Sequence, residues 1–67
     1  MVLNEEAQAV GRRIDELGLD ELHAEVSGIR RARMRIEPAP ATVLQAGDVV
    51  VLRGSGDAVT RAEGRLL

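Results

Sequence analysis

Apolar and polar positions are distributed unevenly along the chain, and their spacing divides it into six stretches. The clearest is Thr42 to Gly54, where Val49, Val50, Val51 and Leu52 form an unbroken apolar run bounded by Gly47-Asp48 and Gly54. A short β-branched run between turn residues predicts a central strand covered on both faces. Gly47-Asp48 predicts a tight turn ahead of it, since Gly tolerates positive φ and Asp bonds its own neighbouring backbone. Ser55 can cap a helix from about Asp57 to the chain's end, with Val59, Ala62 and Leu66 on one stripe.

The remaining stretches are shorter. Val2 and Leu3 read as the end of a strand, and so abrupt a start suggests a segment trimmed from something longer. Val10, Ile14 and Leu17 recur at i, i+4 and i+7, predicting a helix from about Val10 that ends at Gly18 in a left-handed cap. Leu19 and Leu22 follow as a further turn or short loop that tucks two leucines under the core. Ala24 to Arg30 reads as a half-buried strand with a bulge at Gly28. Alternation resumes after Arg31-Ala32, placing Met34 and Ile36 on one face and Arg33, Arg35 and Glu37 on the other. Two strands so joined form a hairpin, ended by Pro38 and Pro40, which lack the N–H a ladder needs. Ala39 to Ala46 then crosses over, anchored by Val43 and Leu44. The sum is a single α+β domain over residues 1–67, a small, mainly antiparallel sheet with a hairpin and two helices on one side.

Composition narrows what such a domain can do. A 67-residue chain without Phe, Tyr, Trp or Cys has a thin core and no disulfide to compensate. Association with a second copy, or with a larger parent protein, is the expected remedy. A formal charge of -2 argues against non-specific nucleic-acid binding, which requires excess cations, and no aromatics offer themselves for base stacking. No apolar run approaches the ~20 residues that span a bilayer. Hydroxyls are confined to Ser27, Ser55, Thr42 and Thr60, and no nucleophile, base and orienter combine, so catalysis is not expected.

All nine basic residues are arginine, and four of them, Arg30, Arg31, Arg33 and Arg35, fall within six positions. Guanidinium groups grip phosphate through paired donors and stack on flat bases, so this cluster is the one feature that invites ligand chemistry. The plainer reading makes Arg33 and Arg35 a solvent-facing row paired with Glu25 and Glu37. An imidazole is the side chain suited to pH sensing, but His23 has no His or Cys neighbour and reads as an ordinary, partly exposed residue. The pairs Glu5-Glu6, Asp15-Glu16 and Asp20-Glu21 read as water-facing acids rather than a metal site, and Asp48 is explained by its turn.

These residues carry a family resemblance. Val10-Gly11-Arg12 leading to Ile14 and Leu17, Ile29-Arg30-Arg31, and the frame Pro40-x-Thr42-x-Leu44-x-x-Gly47-Asp48 ending at Gly54 together resemble the TrkA-C domain. That domain is the C-terminal lobe of regulators of potassium channels, transporters and cation:proton antiporters. The resemblance spans Val2 to Leu67 and implies a homodimeric module on the cytoplasmic side of a membrane transport system, working with a transporter in the same or a partner chain. It also implies that a small effector, such as a cyclic dinucleotide, or a cation, binds between protomers. Carried over by position, the segments lining that cleft are Ile29, Arg30, Arg31, Met34, Ile36 and Pro38. A purely structural dimerisation module without ligand is the alternative.

Overall fold

The computed structural model describes residues 1–67. Its regular elements are strands β1 (Glu25–Arg31), β2 (Met34–Ile36) and β3 (Val49–Arg53), then helix α1 (Gly56–Leu66), with two 3-10 turns ahead of them at Ile14–Glu16 and Leu19–Leu22. The result is a small α+β fold with one three-stranded antiparallel sheet, ordered β2-β1-β3. No peptide bond is cis.

Two sequence expectations are corrected here. The apolar run of β3 is not the middle strand; β1 is. β3 is also covered on one face only, since Val50 is fully buried whereas Val51 is half exposed. Its outer edge is bridged by the chain's start: Leu3 N–H donates to the Asp48 carbonyl at 2.9 Å and Val50 N–H to the Met1 carbonyl at 2.7 Å. The strand expected at Val2 and Leu3 is therefore real, though only a bridge long.

The second correction concerns the helix expected over Val10 to Gly18, so that one α-helix stands where two were expected. Helix formation needs each N–H to reach back four residues, and here those groups are committed elsewhere. Gly11 N–H donates to the Leu44 carbonyl, Leu44 N–H to that of Arg12, and Ile14 N–H to that of Thr42, at 2.8 to 3.0 Å. Residues 11–14 thus pair with 42–44, and only the single 3-10 turn at Ile14–Glu16 remains helical. Gly18 does adopt the left-handed conformation expected of it, at φ 64°. It admits the Leu19–Leu22 turn, which buries Leu19 and half-buries Leu22.

The hairpin forms as expected, with Ile29 opposite Ile36, Arg30 opposite Arg35 and Arg31 opposite Met34. Its loop is Ala32-Arg33, one position later than the strand pattern suggested, so Arg33 belongs to the turn and not to the solvent row. A register shift between Val26 and Gly28 marks the bulge. It inserts one residue, which lets Val26 and Ile29, three positions apart, share the core face.

The other termini of these elements follow the sequence. Gly47, at φ 87°, lies in a turn closed by Asp48 N–H to the Gln45 carbonyl at 3.1 Å. The Ser55 hydroxyl accepts from Ala58 N–H at 3.2 Å, capping α1. This helix buries Ala58, Ala62 and Leu66, with Val59 only half-buried. Its last carbonyls accept from Ala9 and Gln8 N–H, and Arg65 reaches the Leu17 and Gly18 carbonyls at 3.1 and 3.2 Å. The core is a layer of Leu, Ala, Val and Ile between the sheet and α1, with Leu3, Ile29, Leu44, Val50 and Leu66 at its centre. Leu44 anchors the crossover as expected; Val43 is 41% exposed and does not.

Candidate functional site

The alternation of β1 decides which arginines are available. Ile29 and Arg31 share its core face, whereas Arg30 points to the outer face, where it lies between Arg35 and Val49. An inward arginine needs an internal partner, because a buried charge is costly unless paired and hydrogen-bonded. Arg31 finds one in Asp48, which is fully buried. The guanidinium donates from Nε to Asp48 Oδ1 and from Nη2 to Oδ2, both at 2.8 Å, and Nη2 also reaches the Val43 carbonyl at 2.9 Å. Gln45 N–H adds a further bond to Asp48 Oδ2 at 2.9 Å. The bonds from Arg31 hold the Asp48 carboxyl below the usual carboxylate range against the opposing effect of burial, and that same bonding raises Arg31 above its ordinary value.

Arg30 and Arg35 differ. They stand directly opposite one another on the outer face, are exposed, and make no ion pair. Like charges in register destabilise a sheet, so this pair is a standing cost within the monomer. The carboxylates expected to neutralise the row are absent from it: Glu25 pairs instead with Arg53 at 3.5 Å, and Glu37 with no arginine. Arg33 is likewise exposed and unpaired at the hairpin tip.

The six residues expected to line a ligand cleft are thus dispersed in the monomer. Ile29 is 1% exposed and belongs to the core, and Arg31 is engaged with Asp48. Met34 is 67% exposed beside the hairpin tip, and Ile36 is half-buried opposite Ile29. Pro38 lines a shallow groove of about 280 Å³ with Ile14, Leu19, Val26 and Pro40, rimmed by acids that include Asp20. An acidic rim disfavours an anionic ligand there, which leaves the outer sheet face, with Arg30 and Arg35, as the cationic surface. Sequence reasoning placed Asp48 in its turn but missed its bond to Arg31. The available signal was parity, since Arg31 lies two residues beyond an inward Ile29.

The other titratable groups do not converge. His23 is exposed, in a left-handed conformation at φ 59°, in a polar cleft with Asp20, Glu25 and Arg53. No group of three or more His, Asp or Glu side chains is placed to hold a metal ion, and no helix is long and apolar enough to cross a membrane.

Comparison with known families defines the class to which this arrangement belongs. The TrkA-C domain matches residues 1–66, almost the entire chain. The protein belongs to the TrkA-C family, whose domain is generally a regulatory rather than catalytic part of potassium and other cation transport systems. Comparison with curated proteins gives no match.

Proposed function

We propose that this domain is the cytoplasmic regulatory part of a potassium or other monovalent cation transport system, such as a cation:proton antiporter or potassium channel. It acts as a homodimer that senses a small anionic effector, of which a cyclic dinucleotide is the leading example, and transmits its occupancy to the transporter. The observation that carries this reading is the unpaired, in-register Arg30 and Arg35 on an open sheet face. Two guanidinium groups with no carboxylate partner form a ready site for phosphate. A ligand shifts transport only through different affinity for two arrangements of the pair, so the effector site belongs where copies meet.

Thermal unfolding followed by circular dichroism, with and without cyclic di-AMP and adenine nucleotides, tests the proposal. At 100 times its dissociation constant a ligand adds ~2.7 kcal/mol, and the shift should vanish in Arg30→Ala and Arg35→Ala. Arg31→Ala is unsuitable as a control because it opens a buried ion pair. A second reading, a dimerisation module without ligand, is favoured by the internal engagement of Ile29 and Arg31; a dimer that shifts with none of these nucleotides would establish it.

A further inference from the structure

The groove beside Pro38 lies apart from the arginine face and has walls that are already built. Asp15 N–H donates to the Pro40 carbonyl and Ile14 N–H to that of Thr42, both at 3.0 Å, which ties the Ile14–Glu16 turn to the proline segment. That segment is held in turn by the Glu37 carbonyl, which accepts from Ala39 N–H and from the Thr42 hydroxyl at 2.9 Å each. On the Leu19–Leu22 turn, Ala24 N–H closes back on the Leu19 carbonyl at 3.0 Å. Two prolines and a hydrogen-bonded frame leave little to order when the groove fills, and pre-organisation of this kind lowers the cost of binding.

Its lining is apolar at the floor and acidic at the rim. Leu19, Ala24 and Val26 belong to the core, whereas Asp15, Asp20 and Glu25 are exposed beside them, and no arginine or histidine lines the groove. Asp20 makes no ion pair. Asp15 and Glu25 meet Arg13 and Arg53 at 2.6 and 3.5 Å, but both pairs are exposed, and exposed pairs contribute little. The rim therefore favours a cation. At about 280 Å³ the groove falls just short of the ~300–1,000 Å³ of small-molecule sites. It suits one or two aliphatic side chains whose flanking residues run out over the open rim, where basic groups meet the acids.

A regulatory domain of a cation transport system works beside a membrane protein, and the cytoplasmic loops of membrane proteins carry an excess of Lys and Arg next to apolar helix ends. We infer that this groove docks a basic, apolar segment from the cytoplasmic side of the transport protein. An aliphatic anchor sits on Leu19 and Val26, and its basic neighbours meet Asp20 and Glu25. This rests on the regulatory role proposed above and names the contact through which the domain reaches its transporter. The two surfaces then take ligands of opposite charge, an anionic effector on the arginine face and a cationic segment in the groove.

Isothermal titration and amide NMR of the full chain test the contact with end-blocked synthetic peptides. Gly-Arg-Ile-Leu-Arg-Gly should bind, with chemical-shift changes gathered at the amides of Leu19, Asp20, Ala24 and Val26. The charge-reversed Gly-Glu-Ile-Leu-Glu-Gly and the anchorless Gly-Arg-Gly-Gly-Arg-Gly should each bind at least tenfold more weakly. Asp20→Arg should weaken the arginine peptide at least tenfold and strengthen the glutamate peptide, and should leave any nucleotide-induced thermal shift unchanged. Equal binding of either control peptide overturns the inference, as do shift changes centred elsewhere. Agmatine binding as tightly as the peptide overturns it too, since the groove would then hold a small cation and not a protein segment. A nucleotide shift without peptide binding overturns this contact alone, and peptide binding without a nucleotide shift overturns effector sensing alone. Should Asp20→Arg not fold, the double change Asp20→Asn with Glu25→Gln should weaken the arginine peptide at least tenfold, and unaltered affinity overturns the inference.

Discussion

At the scale of single residues, the Arg31–Asp48 pair has the most to lose. Asp48 accepts two bonds from Arg31 and one from Gln45 N–H, so the pair ties β1 to the turn that launches β3 and, through the Val43 carbonyl, to the crossover. Removing one partner of a buried pair leaves the other charge stranded, at a cost of roughly 3–5 kcal/mol. Arg31→Ala should lose stability toward that range in urea denaturation, whereas Arg30→Ala should lose little or gain slightly, because it relieves a like-charge pair. The acid limb of the stability curve carries the same signature. Asp48 is depressed in the folded state, so its contribution is fully present above the unfolded value of ~3.9. That contribution declines as pH falls through the lower folded value. Stability measured between about pH 4 and pH 2 should fall steeply in the wild type and much less in Asp48→Asn.

At the scale of elements, the hairpin loop is the least relaxed part of the backbone. Ala32 and Arg33 both have positive φ, 51° and 67°, in a two-residue turn that usually employs Asn-Gly. A left-handed residue with a Cβ costs roughly 1–2 kcal/mol. Replacing Ala32-Arg33 by Asn-Gly should raise the unfolding free energy by about 1 kcal/mol or more, measured at a concentration low enough to keep the chain monomeric. The loop and the N-terminal half also show how far the sequence could be read. Strands, turn and final helix were legible because Val49 to Leu52, Gly47-Asp48 and Ser55 each carry a local signal. The stripe Val10-Ile14-Leu17 carried one as well, but Gly11 and Ile14 spend their N–H groups on carbonyls some thirty residues away, and local periodicity is blind to that. For the candidate site, arginine clustering was visible at once. What separated Arg31 from Arg30 was strand parity combined with an acid 17 positions on, a relation that only tertiary structure supplies.

At the scale of the whole molecule, the thin core sets the margins. Apart from Asp48, every large fully buried side chain is aliphatic, and domains of this size hold only about 3–5 kcal/mol in a single core. Leu66 is fully buried at the meeting point of α1 and the loop at Ala9. Truncating such a leucine costs about 2–5 kcal/mol, so Leu66→Ala should leave a substantial unfolded fraction at 25 °C by circular dichroism, recovered if association is strong.

The bonds that close the fold join positions far apart along the chain. Met1 meets Val50 across 49 positions and Arg65 meets Leu17 across 48, while Gln8 and Ala9 receive the final turn of α1. The first 24 residues make local turn bonds, such as Val10 N–H to the Ala7 carbonyl, but are tied to the rest of the fold by these distant ones, so large loops must close before the long-range contacts form. Chains organised this way fold slowly for their length, because the entropy of loop closure precedes its reward. Stopped-flow circular dichroism should therefore find refolding on the millisecond-to-second scale, not the microseconds typical of helical chains of similar size. α1, the one α-helix and the longest element held by local bonds, would be the exception: a fleeting helix waiting for the rest of the chain to arrive.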